Sequence, residues 1–192
     1  MRRVRPLKGV LIFAAATGLV LSAGLSISRV GRAGGSALRD VAAPALKGSD
    51  WINVPAADVA RVSSFKGRVT LLHFWTFECI NCKHDLPAYA RLAAAYKPAE
   101  VQVIGIHTPE LAEERVPENV RAAVKRLGIS YPVLIDSDGT NWNRYQQEYW
   151  PTVYVIDKKG NVRYHWVGEF GYNGQDGYRA VTRMVEQLRK ES

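Results

Sequence analysis

The chain has two cysteines, Cys79 and Cys82, both inside the stretch "HFWTFECINCKH" from His73 to His84. Two thiols separated by two residues admit three chemistries: a structural staple, half of a metal site, or a pair that cycles between dithiol and disulfide. A staple here would close a very small loop and stabilise little. Stable bridges in exported proteins also tend to come as frameworks of several in small domains, whereas this chain of 192 residues can form one. As a copper or zinc site the pair supplies two of the four ligands zinc takes. His84 is close, and His107 and His165 lie further on, but no second cysteine pair exists and no histidine pair has ligand spacing. Lys83, not histidine, follows the second cysteine, which excludes a c-type haem attachment. The redox pair is the reading that survives best.

The elements around the pair must hold one sulfur outward and the other behind it. "RVTLLHFW", Arg68 to Trp75, is a bulky apolar run after Gly67 and predicts a strand buried on both faces. After the cysteines, Leu86, Tyr89, Leu92, Ala93 and Tyr96 recur at helical spacing, with Pro87 expected to bend the helix. The outer thiol then stands at a helix N-terminus, where unpaired N–H groups and the helix dipole favour a thiolate. Beyond it, "VQVIGIH" predicts a strand and "PENVRAAVKRLGI" a helix. "YPVLIDS" predicts a short strand and "GTNWNRYQQEY" a short helix. "TVYVIDKKGNVRYHWVG" predicts an antiparallel hairpin, and "YRAVTRMVEQLRK" a closing amphipathic helix with Val181, Met184, Val185 and Leu188 on its apolar stripe. Such a series implies a mixed sheet covered on both faces. Pro151 precedes a strand that should be interior, an unusual place for proline; on the residues alone the general preference of X–Pro bonds keeps Trp150–Pro151 trans.

With 47% hydrophobic and 23% charged residues the chain is globular in composition. Its net charge of +8 is concentrated at the start: Arg2, Arg3, Arg5 and Lys8, then Arg29, Arg32 and Arg39. No basic run interleaved with aromatics remains, so nucleic acid is not an expected partner. Between those clusters, Gly9 to Ser28 is free of charge. Twenty apolar residues match the thickness of a bilayer and exceed a usual signal core. Residues 1–30 therefore read as a membrane anchor or signal segment, cytosolic at its basic start with the body outside. The domain would be released if the segment is cleaved. Residues 31–45 read as a linker.

The strand, "FWTFECINC", the helix and a later "WPT" before a hairpin resemble the thioredoxin fold. "FWTFECINCKHDLP", "VIGIHTPE", "NVRAAVKRLGISYPVLID", "YWPTVYVID" and "GEFGYN" resemble its exported TlpA/ResA-like branch, most of all the C-terminal domain of DipZ-type proteins. The resemblance implies a three-layer α/β/α domain over residues 46–192, with a mixed central sheet and a helix-strand insert. It also implies a cis Pro151 beside the cysteines and thiol–disulfide exchange at Cys79 and Cys82. Disulfide-bearing client proteins and a membrane electron donor of the CcdA/DsbD type are the implied partners, with no cofactor beyond the redox-active disulfide. His73 stands where the thioredoxin family often has Asp or Asn. Buried beneath the second cysteine, it is either the acceptor of the Cys82 proton or a hydrogen-bonded core histidine. Trp75 and Trp150 are expected to wall the site as apolar surface for a partner chain, or else to be core. Glu78 and Glu169 are the acidic candidates nearby, with solvated carboxylates as the alternative. A thiol peroxidase is a further reading: Thr76 lies three residues before Cys79 as in peroxiredoxins, but Leu72 stands where those have proline.

Overall fold

A computed structural model describes residues 34–191. The expected anchor at residues 1–30 lies outside the described residues. Among those described, no helix is long and apolar enough to cross a membrane. One sheet of seven strands forms the centre: β1 (Gly34–Ala42), β2 (Trp51–Ile52), β3 (Val69–Trp75), β4 (Val101–His107), β5 (Val133–Ile135), β6 (Thr152–Ile156) and β7 (Asn161–Val167), in the order β1-β7-β6-β3-β4-β5-β2. β3, β4 and β5 run parallel, while β6 pairs antiparallel with β3 and carries the hairpin to β7. The helices are α1 (Val59–Val62), α2 (Ile80–Ala95), α3 (Pro117–Arg126), α4 (Thr140–Arg144) and α5 (Gly177–Lys190).

Every residue of β3 and β4 is buried, because helices or loops cover both faces of the central strands. Side chains alternate across the sheet. Leu71 and Trp75 join the core under α2, α3 and α5, with Leu86, Leu92, Val124 and Leu188. Leu72 and Phe74 join the opposite core, with Val62, Ile106 and Tyr145. In α5, Val181, Val185 and Leu188 are fully buried, each contributing roughly 1.5–3 kcal/mol of apolar burial. Met184 packs at the margin of that core. The three-layer mixed α/β architecture and the α3–β5 insert match expectation. α2 runs without a break through Pro87.

Residues 31–45 are not simply a linker. Gly34–Ala42 form β1, paired antiparallel with β7 from Gly34↔Val167 to Ala42↔Asn161. β7 otherwise has an open edge whose N–H and C=O groups need partners. Gly35 lets the strand lie close: a Cβ there would collide with the ring of Tyr164. The small residues that suggested flexibility are what permit the contact.

Candidate functional site

β3 ends at Trp75, and after four intervening residues the chain enters α2 at Ile80. Cys79 is the N-cap of α2, with φ −62° and ψ 112°, and its sulfur accepts a hydrogen bond from the Cys82 amide at 3.2 Å. Cys82 lies in the first turn, 1% exposed, whereas Cys79 is partly exposed. The two are joined as a disulfide with a Cα–Cα separation of 5.3 Å. The outer sulfur is thus the one a partner can reach. The helix N-terminus beneath it favours negative charge on sulfur once the bond opens.

Three loops converge on this end of the sheet. Trp150–Pro151 is cis. The register Phe74↔Thr152 puts Pro151 beside the end of β3, and the Pro151 carbonyl accepts from Gly168 at 2.8 Å. Trp150 is half-buried and stacks on Trp142 at 3.9 Å between centroids. Trp142 is in turn held by its amide, which donates to the buried Asp136 at 3.0 Å. The loop after β7 brings Glu169 to α2, 3.1 Å from His84 Nδ1. Glu78 pairs with Lys83 at 3.3 Å on the other side of the cysteines.

Trp75 is not a wall of the site: it is fully buried, edge-on to His107 at 5.2 Å. The strand alternation that sends Trp75 into the core under α2 removes it from the surface. His73 is also fully buried, stacked on Tyr89 at 4.0 Å, and neither ring nitrogen has a hydrogen-bond partner among the described residues. Burial lowers it to about 3, so the imidazole is neutral at physiological pH. Of the two readings of His73, proton acceptor or hydrogen-bonded core histidine, the structure modifies the second: the ring is in the core but stacked and without a hydrogen bond. Gly105, its partner in β4, leaves the room: a Cβ there would sit 2.9 Å from Trp75 Nε1 and 3.1 Å from His73 Nε2.

Two carboxylates that sequence reasoning passed over are built into the site. Asp85 is 4% exposed, and both of its oxygens accept from the Phe170 amide, at 3.2 and 3.1 Å. Burial raises its carboxyl to about 7, opposed by the Phe170 amide and reinforced by Glu169. Its spacing of three from Cys82 places it on the same helix face, a signal present in the sequence. Glu114 gives no such signal. It is fully buried and accepts from the amides of Glu78, Glu110 and Leu111 at 2.9, 2.8 and 2.8 Å. Burial alone would raise its carboxyl; bonds from Thr76 and from those amides outweigh that and hold it below the usual carboxylate range. Glu114 thereby ties the loop before Cys79 to the loop after β4. Thr76 is buried and its Oγ1 lies 3.3 Å from His107 Nε2. A cleft of about 330 Å³ lined by Arg68, Val101 and Tyr131 opens at the start of β3 and β4, the opposite end of the sheet.

The AhpC/TSA family model matches residues 41–165. Protein DipZ of Mycobacterium bovis is 43% identical over 132 residues, which are 68% of this chain and 19% of DipZ. The thiol-disulfide oxidoreductase ResA of Geobacillus kaustophilus is 27% identical over 156 residues, 80% of each chain. Among solved structures, the thioredoxin-like superfamily protein SPOA0173 superposes with a TM-score of 0.66 at 25% identity, over 79% of this chain and 98% of its own. The chain spans about a fifth of the length of the DipZ proteins it matches.

Proposed function

The chain belongs to the AhpC/TSA family, and on that premise we propose that it is a thiol:disulfide oxidoreductase of the thioredoxin-like kind, reducing disulfides of client proteins through Cys79 and Cys82. One observation carries the reading: a disulfide capping α2 whose outer sulfur is accessible and whose inner sulfur is buried. In the dithiol form, Cys79 thiolate attacks one sulfur of a client disulfide. The client S–S bond breaks, a mixed disulfide forms, and the client's other sulfur leaves as a thiolate that takes a proton. Cys82, deprotonated, attacks Cys79 Sγ and expels the client's first sulfur, so two electrons pass to the client and the intramolecular disulfide is regenerated. Asp85, with a carboxyl near 7 on the Cys82 face of the helix, is the group placed to take the Cys82 proton. His73, held near 3, is too weak a base for that task at neutral pH. The half-buried Trp150 and cis Pro151 form the apolar margin against which the client backbone lies.

The apolar run Gly9–Ser28 behind a basic start supports an anchored chain with its folded domain outside the cytosol. A membrane carrier of the CcdA/DsbD type would then renew the dithiol. Similarity to DipZ and ResA supports the exchange chemistry. The test is reduction of insulin disulfides by the pre-reduced full-length protein in detergent. Cys79→Ser abolishes it, and Cys82→Ser accumulates a covalent client adduct that thiol reagents release. Undiminished reduction by Cys79→Ser would sink the reading.

A further inference from the structure

We infer that the client segment accepted at this site is apolar and carries positive charge beside its disulfide, an inference that rests on the exchange activity proposed above. Among the described residues the exposed large apolar side chains are Ile80, Leu111, Val116, Tyr149 and Tyr172, each between 42% and 60% exposed. They are not scattered. Ile80 directly follows the outer cysteine. Leu111 and Val116 stand on the loop that Glu114 ties to the Glu78 amide. Tyr149 precedes the cis Trp150–Pro151 bond, and its carbonyl accepts from Thr152 Oγ1 at 2.9 Å. Tyr172 follows Glu169, which reaches His84 of α2. All five therefore crowd one end of the sheet, around the disulfide. Apolar surface gathered in this way marks a contact site.

The same rim carries a run of carboxylates. Each of these apolar residues has a glutamate within three positions: Glu78 near Ile80, Glu110 near Leu111, Glu113 near Val116, Glu148 near Tyr149, and Glu169 near Tyr172. Glu78 and Glu169 have partners in Lys83 and His84. Glu110, Glu113 and Glu148 are exposed and form no ion pair among the described residues. Arg115, a further cation beside Lys83 and His84, donates to the Ser137 carbonyl at 3.0 Å. Unpaired carboxylates interleaved with apolar side chains attract a segment that is apolar and cationic and repel one that is apolar and acidic. Because the charges are solvent-exposed, they act on encounter and are screened by salt.

The experiment uses pre-reduced full-length protein in single turnover against three synthetic disulfide peptides, flanked by Leu-Lys, by Leu-Glu or by Ser-Lys. The small neutral 2-hydroxyethyl disulfide serves as reference. The Leu-Lys peptide is expected to react about tenfold faster than either of the others, with its advantage over Leu-Glu shrinking at high salt. The triple variant Glu110→Gln, Glu113→Gln, Glu148→Gln should bring Leu-Lys and Leu-Glu to within about twofold, leaving the reference rate unchanged. Leu111→Ser with Tyr172→Ser should close the gap between Leu-Lys and Ser-Lys. Equal rates for the three peptides, or a preference untouched by the triple variant, overturn the inference while reduction of the reference disulfide keeps the exchange reading intact. Failure to reduce the reference disulfide overturns both.

Discussion

Asp85 and His73 are both buried, and burial favours the neutral form of each. The Asp85 carboxyl is raised from 3.8 to about 7, so the folded state holds its proton more tightly than the unfolded one. Its contribution to stability is present below pH 3.8 and is lost as pH rises through about 7. Asp85→Asn keeps an oxygen for the Phe170 amide and removes that loss. Denaturant unfolding should show the variant gaining a few kcal/mol over the parent at pH 8 relative to pH 4, with slower release of the mixed disulfide if Asp85 takes the Cys82 proton. His73 works in the opposite direction. Lowered from 6.5 to about 3, it makes the unfolded state the better proton acceptor, so stability falls as pH drops below 6.5 toward 3. His73→Phe preserves a ring against Tyr89 and removes two unbonded nitrogens. It should be more acid-resistant than the parent, by about 1–3 kcal/mol at pH 4, with disulfide exchange at pH 7 unchanged. A large drop in exchange rate would restore His73 as a proton acceptor.

At the level of elements, the helix that carries the cysteines is positioned from its N-terminal side by a carboxylate on another loop. Glu114 occupies three backbone amides at once, one of them adjacent to Cys79. Glu114→Ala leaves those donors without their acceptor in a buried place, which costs about 1–3 kcal/mol. The loop before α2 loosens with it. Thermal unfolding should register the loss, and the exchange rate should fall further than stability alone explains. Recovery with Glu114→Gln, which retains one acceptor oxygen, should be partial in both. The other support runs from Asp136 through Trp142 to Trp150. Both supports come from segments distant in sequence from residue 79, so the disulfide stands on a frame that the local sequence does not contain.

At the scale of the whole molecule, the seven strands among the described residues make one sheet whose outer strand comes from a segment with the composition of a linker. Gly35→Val would drive a side chain into the Tyr164 ring and should detach β1 alone. Hydrogen exchange should then quicken at β7 amides facing β1, while β3 amides stay protected. Acid response is also a property of the whole: His73 and His107, lowered to about 3 and about 4, outweigh Asp85 on the acid side, so the protein loses stability below pH 6.5.

The order of strands and helices, the parallel centre and the final hairpin were legible because each element has its own period: continuous apolar runs in β3 and β4, helical spacing in α2 and α5. The two cysteines were legible from spacing and from their place between a strand and a helix. Asp85 could have been read from its helical offset to Cys82. The burial of Trp75 was implied by a strand covered on both faces, but Glu114 and the unbonded state of His73 could not be read, since each depends on which distant backbone or ring arrives opposite it. The same holds for β1, where a glycine-rich stretch is flexible in isolation and ordered once a strand edge is there to pair with. Residue type and spacing therefore determined that a cysteine pair sits at a helix entrance. Folding alone decided which charges and rings surround it, because hydrogen-bond partners and desolvation are set by neighbours in space.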